Sequence, residues 1–119
     1  MIEKAYRDIL TGITHLDVSL LFASAPFPAV SYKVTPIQGG VVRSDQLEVR
    51  IIGDDYEELS KINRRIIEQL DMEGNRPSIL IDRYAMRSSL SGGGTLYNDI
   101  LGKWELYTIF ITKWRKIHE

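Results

Sequence analysis

The residues in this chain that could do chemistry are few and scattered. Ser91-Gly92-Gly93-Gly94-Thr95 stacks three glycines between hydroxyl side chains, a composition that can aim backbone amides at a phosphate. The nucleotide-binding pattern needs a lysine directly after its last glycine, and here the next lysine is Lys103. The segment therefore reads as a projecting loop, not a phosphate cradle. His15 and His118 stand far apart in sequence with no partner at metal-ligand spacing, so both read as surface residues. Asp82 and Asp99 could pair for acid–base work, but no pattern brings them together, and Asp82 reads as a strand residue on a wet face. Ser88 and Ser89 lack the strand-turn-helix context of an activated nucleophile. Lys113, Arg115 and Lys116 flank Trp114, and three charges make a weak footprint for a phosphate backbone. No cofactor, metal or catalytic set emerges, and the chain is expected to act as a scaffold.

The elements that would position a site are much clearer. In the run Gln46 to Asp71, Leu47, Val49 and Ile51 alternate with Glu48 and Arg50, which is a strand with one buried face. Asp55 precedes Glu58 by three residues, the spacing of a capping box at a helix start. Leu59, Ile62, Ile66 and Leu70 then form an apolar stripe at helical intervals. Glu57–Lys61 and Arg64–Glu68 have the spacing of solvated ion pairs on the opposite side.

Around this unit, Ile2, Tyr6, Ile9 and Leu10 predict a short N-terminal helix over residues 2–10, which Ile13 can extend. Pro26 and Pro28 bias their predecessors away from helix, and Val30, Tyr32 and Val34 predict a strand over 29–35. Pro36 to Asp45, with Gly39 and Gly40, reads as a turn joining antiparallel neighbours. Glu73 to Pro77 reads as a loop, SILIDRY (78–84) as a third strand, and Ser88 to Gly102 as the most flexible segment, a loop projecting from the sheet. From Lys103 onward Trp104, Leu106, Thr108, Phe110 and Thr112 alternate with Tyr107, Ile109 and Ile111. Both faces carry bulk, which predicts a central strand or one whose second face meets a partner.

Composition sets the outer limits. The chain has 119 residues, 44% of them hydrophobic and 26% charged, values that suit a single domain with its own core. A net charge of −1 provides no global field for nucleic acid or an anionic membrane. There are no cysteines, so thiol catalysis, disulfides and thiolate metal sites are excluded, and an intracellular origin fits best. Val18 to Tyr32 is nearly uncharged but is too short and polar to span a bilayer. The first residues show no secretion signal.

In this order of elements the chain resembles the tail terminator, or tail completion and head–tail joining, proteins of long-tailed bacteriophages and prophages. The likeness lies in the proline-rich approach Pro26-Phe27-Pro28 to a strand at Ala29–Tyr32, the alternation Leu47-Glu48-Val49-Arg50-Ile51, the helix from Tyr56 to Leu70, and the closing strand Trp104-Glu105-Leu106-Tyr107-Thr108-Ile109-Phe110. What the resemblance implies is an α+β sandwich over residues 1–119: a mostly antiparallel sheet with helices packed on one face. It also implies a homo-hexameric ring in the virion tail, assembled in the bacterial cytoplasm, that caps the tail tube protein and meets the head connector or neck proteins. A weakly contacting passage for DNA would run through it, and no membrane is involved. Such a ring needs two different patches per subunit, for which Tyr107, Ile109, Ile111 and Trp114, the glycines Gly92, Gly93 and Gly94, and Val41 and Val42 are the candidates. A head-completion or neck adaptor protein is the nearest alternative, and a small ligand-binding α/β domain a more distant one.

Overall fold

The computed structural model describes residues 2–22, 26–72, 74 and 76–117. In chain order the elements are α1 (Ile2–Thr14), β1 (Val18–Leu20), β2 (Ala29–Gln38), β3 (Arg43–Gly53), α2 (Tyr56–Leu70), β4 (Ile79–Ile81), β5 (Tyr84–Asn98) and β6 (Lys103–Lys116). The strands form one sheet in the order β1-β2-β3-β6-β5-β4. Only the short β1 runs parallel to its neighbour, and the other pairings are antiparallel. The fold is therefore α+β with a mostly antiparallel sheet, as the resemblance implied.

Both helices lie on the same side of the sheet. The core joins Ala5, Tyr6, Ile9 and Leu10 of α1 and Leu59, Ile62, Ile66 and Leu70 of α2 to the strand side chains Val30, Tyr32, Leu47, Val49, Ile51, Leu106 and Phe110. Each strand contributes alternate residues, because successive side chains point to opposite faces. The helix stripes read in the sequence are the surfaces that close this layer. Asp55 caps α2 by accepting a 3.0 Å bond from the Glu57 amide through Oδ1. The Glu57–Lys61 and Arg64–Glu68 pairs do not form; among the described residues the ion pair at that spacing is Lys4–Asp8, at 3.1 Å.

Three expectations are corrected. The segment Ser88 to Gly102 is not a projecting loop: β5 runs through the glycines to Asn98 and pairs with β6 along its length. Its glycines hide the alternation that normally marks a strand. SILIDRY is not one strand either, since β4 ends at Ile81 and Asp82, at φ 53°, turns the chain back into β5. Asp82 is thus a turn residue. The sequence reading also passed over β1, three residues whose hydrogen bonding needs β2 beside it. His118 and two residues of the 73–77 loop lie outside the described residues.

A buried polar cluster ties α1 to the sheet. The Tyr6 hydroxyl donates to Asp45 Oδ2 at 2.9 Å and sits 2.6 Å from Thr112 Oγ1. Trp114 Nε1 donates to the same carboxylate oxygen at 2.6 Å. Burial pushes the Tyr6 phenol far above its ordinary value of 10.0, because an ionised phenolate there would lose its hydration, and the charge of Asp45 adds to the shift. Every partner here is a hydrogen bond that offsets the cost of removing Asp45 from water.

Candidate functional site

The strands position two different surfaces, and the helices cover only one. On the open face, β3 and β6 bring Arg50 opposite Tyr107, Glu48 opposite Ile109 and Gln46 opposite Ile111. Across the next pairing, Gly94 lies opposite Tyr107, Gly92 opposite Ile109 and Ser89 opposite Ile111. Tyr107, Ile109 and Ile111 are half-buried with no helix above them. The structure thus gathers five of the expected interface residues, Tyr107, Ile109, Ile111, Gly92 and Gly94, into one patch. Gly93 turns the other way, with Thr108.

Specific contacts tie the side chains of the patch together. The Arg50 guanidinium stands 5.5 Å from the Tyr107 ring centre and bonds Glu105 Oε1 at 3.0 Å through Nη1. Glu105 Oε2 in turn accepts from Asn98 Nδ2 at 3.0 Å, and Glu48 lies 3.9 Å from Arg50. The lattice sets one guanidinium between two carboxylates, so it keeps an excess negative charge. Both carboxylates are tied to Arg50, and the lattice can orient a partner's polar groups.

Beside the patch, Leu21, Phe22 and Leu101 wall a concavity of about 390 Å³ whose floor includes Ser31, Lys33, Glu48, Arg50, Ile52 and Glu105. A second concavity of similar volume runs between the flank of α2 that carries Tyr56, Ser60, Asn63 and Ile67 and the β5–β6 strands at Gly93, Leu106 and Thr108. Asn63 Oδ1 accepts a 2.6 Å bond from Thr108 Oγ1 there. The polar atoms of neither concavity converge on a reacting centre.

The remaining expected residues fall elsewhere. Trp114 is a correction: it is 8% exposed, on the helix side of β6, stacked edge-on against Tyr84 and bonded to Asp45. Its basic neighbours in sequence suggested a surface residue, but alternation turns Trp114 inward while Lys113 and Arg115 remain exposed. Val41 and Val42 are exposed at the β2–β3 turn, Val41 by 85%. Ser88 is buried and its hydroxyl donates to the Leu70 carbonyl, a structural role at the end of α2. His15 ends α1 at φ 57°, its amide donating to the Thr11 carbonyl at 2.8 Å. Among the described residues no group of three or more histidine, aspartate or glutamate side chains is placed to hold a metal, and no helix is long and apolar enough to cross a membrane.

The sequence reading took the far end of the β5–β6 hairpin as part of a projecting loop and singled out none of its apolar side chains. Ile100 is 96% exposed and Leu96, Tyr97 and Leu101 are also exposed, while Trp104 sits edge-on between Tyr56 and Tyr97 at 5.3 and 5.0 Å. The cluster of apolar letters from Leu96 to Leu101 was the available signal, masked by the loop assignment.

No family model matches the chain, and no curated protein matches it at a significant level. A solved structure that carries no functional name is similar over 99% of this chain and 93% of its own, with a TM-score of 0.61 at 12% identity. That likeness establishes that the fold occurs elsewhere as a whole domain.

Proposed function

We infer that this chain is a structural subunit of a phage or prophage tail, one that assembles as a hexameric ring, caps the tail tube and joins it to the head connector. The observation that carries the reading is the helix-free face of the sheet, where Tyr107, Ile109 and Ile111 form a half-buried apolar strip beside the Arg50–Glu48–Glu105 ionic lattice. A strip of this kind suits a protein partner, because apolar area drives association while the paired charges set orientation. The exposed apolar residues at the two ends of the strands, Val41 and Val42 at one and Ile100 and Leu101 at the other, supply further surfaces for a tube and a connector. The near-neutral net charge of −1 suits a passage that DNA crosses without sticking.

Tail preparations made with and without the protein provide the test. Its loss is expected to give tails of uncontrolled length that fail to join heads. Tails of normal length and normal head attachment without it would overturn the reading. The same surfaces suit a head-completion or neck adaptor ring, and labelling the protein on intact particles separates the two by position along the tail axis.

A further inference from the structure

The two side edges of the sheet are stepped, and the steps are complementary. One register line runs Leu20–Tyr32–Val49–Thr108–Gly93, and its β2 end is covered by β1 while, among the described residues, its β5 end has no strand beyond it. Another runs Pro36–Asp45–Thr112–Ser88. Here the β2 end is open and the β5 end is covered, because the Ser88 carbonyl accepts from the Met72 amide at 3.0 Å and Asp71 Oδ1 accepts from the Leu90 amide at 3.0 Å. Each side of the sheet therefore protrudes at the level where the other side is recessed.

The two recesses are guarded differently. On β2 the residues whose peptide groups turn outward include Val30 and Tyr32, which bond Asp17 and Leu21. By alternation Val34 and Pro36 are next, and Pro36 has no N–H to offer, a common way to blunt an edge. On β5 the run Gly92 to Asn98 contains no charge and no proline, and beyond the bulge at Leu90/Gly92 it offers its outward peptide groups unprotected. An edge of this length left open invites strand pairing.

We propose that the open β5 edge, Gly92 to Asn98, is paired by the β1 edge, Val18 to Leu20, of a second copy of this chain, so that the sheet continues from subunit to subunit. This deepens the ring reading and rests on it. Three features select the second copy as occupant. A neighbour placed side by side in the same orientation brings its protruding β1 to the level of the β5 recess, and its β2 recess to the level of β4 and Met72. Strand directions alternate correctly, since β5 runs opposite to β1 and β2. Both edges are also uncharged and rich in exposed apolar side chains, Leu20, Leu21 and Phe22 on one and Leu96 and Tyr97 on the other, so no like charges oppose each other on pairing. The contact is heterologous, the type that closes into a ring when the rotation per subunit allows.

The absence of native cysteines makes disulfide trapping unambiguous. The full chain is prepared with Thr95→Cys combined with Val18→Cys or with Leu20→Cys, and with Tyr97→Cys combined with Leu20→Cys, which samples three neighbouring registers on one face of the joint. Each variant is first shown to be folded by circular dichroism, then oxidised at the highest concentration that stays in solution. We expect one pair to give interchain disulfides that build a ladder closing at six chains, while each single-cysteine variant stops at a weak dimer band. A ladder that fails to close at six would leave the edge pairing standing and defeat the hexameric ring. Folded chains with no interchain bond at any register would overturn the edge pairing. So would a Thr95→Cys or Tyr97→Cys single variant that forms dimers as strongly as the pairs, since that means two β5 edges meet about a two-fold axis.

Discussion

The phenol of Tyr107 fills the space that a side chain on Gly94 would need: a Cβ at position 94 would lie 2.6 Å from the Tyr107 hydroxyl oxygen. The two residues face each other across the β5–β6 pairing, so the ring covers backbone that a glycine leaves bare. One strand's glycine is what lets the other's tyrosine lie down on the open face.

The neighbouring glycine meets a different obstacle, which separates two substitutions that look alike. A Cβ on Gly93 would be 2.6 Å from the Tyr107 backbone carbonyl and 3.2 Å from the Thr108 Cα, and backbone cannot swing aside. Gly93→Ala is therefore expected to destabilise the fold by about 1–3 kcal/mol. Gly94→Ala should cost less, because the Tyr107 ring can rotate away, and adding Tyr107→Ala should remove most of that cost. Urea unfolding of the two single variants and the double variant gives the coupling.

The buried Tyr6–Asp45–Trp114 cluster predicts a ranking. Tyr6→Phe removes one donor from Asp45 and is expected to destabilise by about 1–3 kcal/mol. Asp45→Ala strands the buried donors of both Tyr6 and Trp114 and should cost more than Tyr6→Phe. Denaturant midpoints that place Asp45→Ala equal to or above wild type would show that these bonds contribute nothing net.

The same phenol sets a pH dependence. Burial raises the Tyr6 value above the ordinary 10.0, so its contribution is complete below about pH 10 and is lost above it, as the unfolded chain releases a proton the folded chain keeps. Burial raises Tyr32 in the same direction. Stability should thus begin to fall as pH rises through about 10 and keep falling above it, with a shallower fall in Tyr6→Phe. Equal slopes for the two proteins would remove Tyr6 as the source.

Substitutions on the open face should separate folding from assembly. Ile109 and Ile111 are half-buried, and among the described residues no element covers them, so Ile109→Ser and Ile111→Ser are expected to shift unfolding by no more than about 1 kcal/mol. Under the proposed tail role they should weaken incorporation of the protein into tails. Full incorporation of the paired variant would remove this strip from the assembly surface.

At the start of α2, Asp55→Ala should destabilise the protein by about 0.5–2 kcal/mol, since it removes the acceptor of the Glu57 amide. Asp55→Asn and Asp55→Ser should restore most of it, and thermal denaturation of the three variants distinguishes loss of the cap from loss of the charge.

Where local periodicity was strong, the sequence was legible. Leu47, Val49 and Ile51, the Asp55 cap and the stripe from Leu59 to Leu70 all take their expected places, and the two-sided bulk of β6 corresponds to its position between β3 and β5. What failed had a non-local cause. Gly92, Gly93 and Gly94 carry no side-chain alternation, and they form a strand because β6 pairs with them and Tyr107 packs over Gly94. Trp114 was misplaced because its basic neighbours dominate the local composition, whereas its burial comes from Asp45 and Tyr84. Tyr6 and Asp45, 39 residues apart, have no spacing that could announce their contact.

The place of β6 has a consequence for how the protein comes into being. Of the six strands it is the last to leave the ribosome, yet it sits between β3 and β5 and bonds to both along nearly its whole length. Without it, β3 and β5 have no strand to join them, and the pairings that β6 makes are with segments distant in sequence, a topology that slows folding. A chain interrupted before Lys103 would leave the inner edges of β3 and β5 unpaired and is expected to aggregate.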